Sequence, residues 1–143
     1  MIVECSMNNS AHSPAGRLLA TIPPEISRLL RGYLAEELLP FNDLRVQITA
    51  YLEDLAHRSL EHEFIDLELA TTIGQRFREL IDGVGIEMSN EHHRLIQAAA
   101  KYFVTEEDAI ADTASPIGFD DDAFVFNLVA KEVGRGDLVI EGF

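Results

Sequence analysis

The sequence predicts an all-α protein, a single-domain bundle of five to six helices. Three observations carry that expectation. Apolar residues recur at helical spacing, as in Ile26, Leu29, Leu30, Tyr33 and Leu34. No segment sustains the period-two alternation of a half-buried strand. Breakers such as Pro40, Gly83 and Gly134 fall where one apolar stripe ends. A length of 143 residues suits one domain.

Residues 1–20 are polar and small without periodicity and read as a flexible N-terminal arm. The bundle domain is expected over 21–143. Thr21 offers a cap, Pro24 suits a first turn, and Glu25 complements the helix dipole. The stripe then runs to Leu38, and Pro40 ends it. A second helix is expected over 42–59, with Leu44, Ile48, Tyr51, Leu52 and Leu55 on its apolar face. A third spans about 63–81 through Ile65, Leu69, Ile73, Phe77 and Leu80, and Asp82-Gly83 stops it. Ser89 or Asn90 caps a fourth, whose Ala98-Ala99-Ala100 run allows close helix approach. Thr105-Glu106-Glu107-Asp108 has the form of a capping box for a short fifth helix ending near Thr113. After a Ser115–Gly118 turn, Asp120 is expected to cap a sixth helix reaching Val133. Phe124, Phe126 and Val129 make that last helix apolar on several sides, the pattern of a central helix or of a self-association seam. Leu138-Val139-Ile140 in the tail is briefly β-like.

Charge narrows the partners. There are 25 acidic against 11 basic residues, a net charge of −14. Such a charge opposes nucleic acid and anionic membranes, and it reads either as an ordinary soluble acidic surface or as a docking face for a basic protein partner or a divalent cation. No apolar run approaches the ~20 residues of a membrane span. The N-terminal stretch lacks the pattern of a secretory signal, and Cys5 is the one cysteine, so a cytoplasmic location is expected.

No catalytic residue is assigned. There is no Gly-x-Ser-x-Gly elbow and no glycine-rich phosphate loop. Asp54, His57 and Glu61 share a helix face, and Glu91, His92 and His93 cluster, but they flank apolar stripes and read as solvated faces. Only one degenerate half of a di-iron motif is present. His12 and His62 have no partner pattern.

The segment Tyr102–Asp122 is the most specific in the chain. It sets Asp108, Asp112, Asp121 and Asp122 around a Pro-Ile-Gly turn. No cofactor is required by this pattern, but oxygen ligands alone would suit Mg²⁺, Ca²⁺ or Mn²⁺. Equally, the carboxylates can cap helices and hold the turn.

The order Tyr102-Phe103-Val104, then Asp108-Ala109-Ile110-Ala111-Asp112, then Pro116-Ile117-Gly118-Phe119-Asp120-Asp121 resembles the YkvA-like family of small helical bacterial domains. Ala111 stands where that family's pattern has proline. The resemblance covers about residues 100–134. It implies a helical domain in which the aspartates are structural or ligand residues, and the family's biochemical activity is not established. An acidic protein-interaction or regulatory module, able to bind a protein partner or itself, is therefore expected. A divalent-metal protein or metal-dependent enzyme using the aspartates is the alternative.

Overall fold

The computed structural model describes residues 14–61, 65–83, 88–105 and 119–143. Among them are six α-helices and no strand. The helices are α1 (Pro14–Ala20), α2 (Pro24–Leu34), α3 (Phe41–Arg58), α4 (Leu67–Asp82), α5 (Asn90–Val104) and α6 (Asp120–Glu132). A 3₁₀ turn, Gly136–Leu138, follows. The expected all-α bundle is what the chain forms.

The N-terminal boundary differs from expectation. Residues 14–20, expected within the arm, form α1, and Leu18 is buried against the core. A seven-residue helix shows too few turns to leave a periodic stripe, so its apolar contacts decide it. Thr21 does not cap α2. Its hydroxyl donates to the Leu18 carbonyl at 2.8 Å and closes α1 instead. Pro23 is the N-cap of α2 and Pro24 opens it, with Glu25 in the first turn.

α2 ends at Leu34, four residues short of the expected stripe. The connector 35–40 is gripped by α5. Arg94 donates to the carbonyls of Leu34 (3.3 Å) and Glu36 (3.0 Å). Gln97 donates to the Glu37 carbonyl and accepts from the Leu39 amide, both at 2.7 Å. His93 Nε2 lies 2.7 Å from the Leu39 carbonyl, and its ring stacks on Phe41 with centroids 4.1 Å apart. A carbonyl can only accept, so Nε2 carries the proton. These side chains replace the backbone partners that a longer helix would have supplied.

α5 is the hub, packing against α1, α2, α3 and α6. Leu95 through Ala100 are all buried, including Gln97. The three alanines let neighbouring helices approach from several sides, as expected from their size. Ser89 caps α5 by accepting from the His92 amide at 3.1 Å. Asp66 does the same for α4, accepting from the Leu69 amide at 3.0 Å, so α4 begins later than expected. On α3, Leu44, Ile48, Tyr51 and Leu55 are buried as their spacing predicts. At the α3–α4 contact Gly74 brings the backbones together: a Cβ there would lie 2.5 Å from Leu52 Cδ1.

An aromatic chain runs through the centre. Phe103 meets Tyr51 edge-on at 5.1 Å and stacks on Phe77 at 5.8 Å, and Phe77 meets Phe126 edge-on at 4.8 Å. Phe103 also meets Phe119 at 6.3 Å. Such pairs add about 0.5–1.5 kcal/mol beyond the area they bury.

Gly134, at φ +85°, ends the α6 segment as expected. The tail is not a strand. Buried Asn127 donates through Nδ2 to the carbonyls of Ile140 (2.8 Å) and Phe143 (3.3 Å), and its Oδ1 accepts from the Ile140 amide at 2.7 Å. Leu138 and Ile140 are buried by this pinning. Beside it, the hydrogen bond from Arg135 holds the Asp137 carboxyl below the usual carboxylate range and raises the guanidinium in turn.

Candidate functional site

The acidic segment enters the fold where α5 ends and α6 begins. Tyr102 is in the last turn of α5 and fully buried. Its hydroxyl donates to Asp121 Oδ2 at 2.5 Å. Asp121 and Asp122 are 7% and 2% exposed, both in the first turn of α6. The dipole of α6 favours negative charge there. Asp120 is the first helical residue and not the cap. Phe119 occupies the cap position with no side-chain cap bond. Thr105, the first residue of the expected capping box, is the C-cap of α5, and the rest of the box, the fifth helix, the Ser115–Gly118 turn, and with them Asp108 and Asp112, lie outside the described residues. The structure thus places Asp121 and Asp122 in one helical turn, with Tyr102 on Asp121. Among the described residues, no group of three or more His, Cys, Asp or Glu side chains is arranged to hold a metal ion.

The histidine clusters are occupied otherwise. Asp54 pairs with Arg58 at 2.9 Å, one turn away on α3, and His57 and Glu61 are exposed. Glu91 is exposed in the first turn of α5, and His93 serves the connector. His12 and His62 lie outside the described residues.

Phe126 and Val129 are buried within this chain, and Phe124 packs half-buried against the same core. Their many-sided apolarity matches a helix covered by α4, α5, α1 and the tail turn.

The outer face of α3 is different. Asp43, Val46, Ala50, Glu53 and His57 are exposed, and Leu60 follows in the turn after the helix. Their spacing alternates three and four residues, which sets them along one face of the helix. Val46 is 60% and Leu60 81% exposed. Shallow clefts flank Ala50: Arg45, Val46, Thr49 and Glu53 line one, and Gln47, Tyr51, Asp54, Arg58 and Val104 line the other. The pattern of apolar positions in the sequence hides this face, because Val46 and Leu60 are isolated between polar residues. The positions left over once the apolar stripe of α3 is assigned are the signal that marks it.

Among the described residues, no helix is long and apolar enough to cross a membrane. Comparison of the chain with protein-family models, with curated proteins and with solved structures gives no match.

Proposed function

We propose that the chain is a protein-interaction module that docks a basic amphipathic helix of a partner on the outer face of α3. The exposed seam Asp43, Val46, Ala50, Glu53, His57, Leu60 carries this proposal. A small residue at its centre allows close approach, and apolar side chains near the ends provide anchors. Asp43 and Glu53 supply charge for a basic partner, in keeping with the net charge of −14. The likeness to the YkvA-like helical domains at 100–134 is compatible with this role and adds no chemistry to it.

The test uses a Leu/Lys amphipathic helical peptide followed by NMR. Shifts should map to residues 43–60, weaken with salt, and fade in Val46→Asp and Leu60→Asp. Binding that is equally strong in both variants, or that maps elsewhere, overturns the proposal. Self-association through the same face would appear as a mass increase in sedimentation without peptide.

A second reading is favoured by the burial of the neighbouring carboxylates Asp121 and Asp122. Two neighbouring carboxylates offer oxygen ligands of the kind that Mg²⁺, Ca²⁺ or Mn²⁺ takes. Such an ion would raise the melting temperature by mass action. Loss of that rise in Asp121→Asn supports this reading, and no rise with any of the three ions removes it.

A further inference from the structure

A second feature lies on the opposite side of the charge ledger. Most arginines of this acidic chain are engaged within it. Arg17 pairs with Glu132, Arg45 with Asp82, Arg58 with Asp54, Arg76 with Glu79 and Arg135 with Asp137. Arg78 donates to the Thr49 hydroxyl, and Arg94 grips the connector. Arg28 and Arg31 are the contrast: both are exposed, and among the described residues neither side chain has an ion pair or hydrogen bond. They stand three residues apart on α2, so their side chains leave the same face.

That face borders a cleft of about 330 Å³ where α1 meets α2. Leu19, Ile22 and Pro24 give it an apolar lining, and Ser27 joins the two arginines as its polar lining. Ser27 is only 7% exposed, yet its hydroxyl makes no hydrogen bond among the described residues. A hydroxyl in that setting has unused donor and acceptor capacity.

We infer that this cleft binds a small organic anion, with a phosphate or carboxylate group held by Arg28, Arg31 and Ser27 and an apolar body on Leu19, Ile22 and Pro24. Guanidinium forks match the planar or tetrahedral oxygens of such groups. The chain's negative field repels large polyanions, whereas a ligand with one anionic group meets mainly the local positive charge, since other charges are screened beyond ~8 Å at physiological salt. The apolar lining supplies the rest of the affinity.

The experiment titrates ¹⁵N-labelled full-length protein separately with phenyl phosphate, benzoate and inorganic phosphate. Saturable shifts at residues 27–31 are expected with phenyl phosphate or benzoate, with Kd in about the millimolar range. The stronger of the two identifies the anionic group. Arg28→Gln and Arg31→Gln should each weaken binding about tenfold or more, because a charge-assisted bond is lost. Ser27→Ala should weaken it less, and Arg76→Gln should leave it unchanged. Both arginines are exposed, so an unaltered melting temperature separates lost binding from lost fold. The inference is overturned if shifts do not saturate, if they persist undiminished in Arg28→Gln and Arg31→Gln, or if inorganic phosphate binds as tightly as phenyl phosphate, since the apolar lining would then be idle.

Discussion

Replacing Asn127 by leucine tests how the C-terminal tail is held. The side chains are similar in volume, so the change removes hydrogen bonds and little else. In the folded chain it would leave the Ile140 amide and carbonyl without their 2.7 and 2.8 Å partners. Each stranded buried group costs about 1–3 kcal/mol, so a fully retained tail would lose about 2–6 kcal/mol. The tail can escape this by detaching. Detachment forfeits the burial of Ile140, worth about 1.5–3 kcal/mol, and part of that of Leu138. The cheaper route sets the outcome, near 3 kcal/mol. With an unfolding entropy of about 2.1 cal/mol/K per residue, 143 residues give about 0.3 kcal/mol/K, so the melting temperature should fall by about 10 °C. Calorimetry measures it. A chain ending at Leu138 provides the control: there, Asn127→Leu should cost less than about 0.5 kcal/mol, because its partners are already gone. A fall under about 2 °C in the full chain, or an equal loss in the truncated one, would refute the assignment of tail docking to Asn127.

Further outcomes follow from the same structure. Tyr102→Phe removes a hydrogen bond to a buried carboxylate and should cost about 1.5–3 kcal/mol in urea denaturation. Phe126→Ala opens the aromatic core and should cost about 3–5 kcal/mol, with the sedimentation mass unchanged because its contacts lie within the chain. The Asp137 carboxyl has a folded pKa below its unfolded value near about 3.9, so its contribution is present above that pH and lost as pH falls through the folded pKa. Asp137→Asn should therefore lower the urea midpoint slightly at a pH of about 6, with the difference from the parent chain vanishing in strong acid.

How much of this was legible in the sequence depends on what kind of contact made each element. α3 and α4 announce themselves, because Leu44, Ile48, Leu55, Ile73, Phe77 and Leu80 form stripes that the fold buries as one core. α1 does not, since seven residues cannot display a period. The end of α2 was misplaced because Leu38 continues the stripe, while the grip of His93, Arg94 and Gln97 on the connector is invisible without knowing that α5 lies beside it. Gln97, polar in the middle of a buried run, was the one clue. Residue type alone points to Asp120 as a cap, and a single position separates that role from the first helical turn. Of the candidate site, Tyr102 and Asp121 pair across 19 positions, a contact that no local pattern in the sequence dictates. The outer seam of α3 and the α2 cleft depend on which surfaces remain uncovered, a property of the packing as a whole.

The hub position of α5 has a consequence for the order in which the chain can become itself. During synthesis, α1 to α4 leave the ribosome before the helix on which most of them pack. The Leu39 amide waits for Gln97, 58 residues later, a lag of about 3–12 s at translation rates of about 5–20 residues per second. Through that interval the apolar faces of Leu30, Ile48 and Phe77 lack their final cover. The nascent chain should therefore remain protease-sensitive until residues beyond Phe103 emerge, and then close in one step.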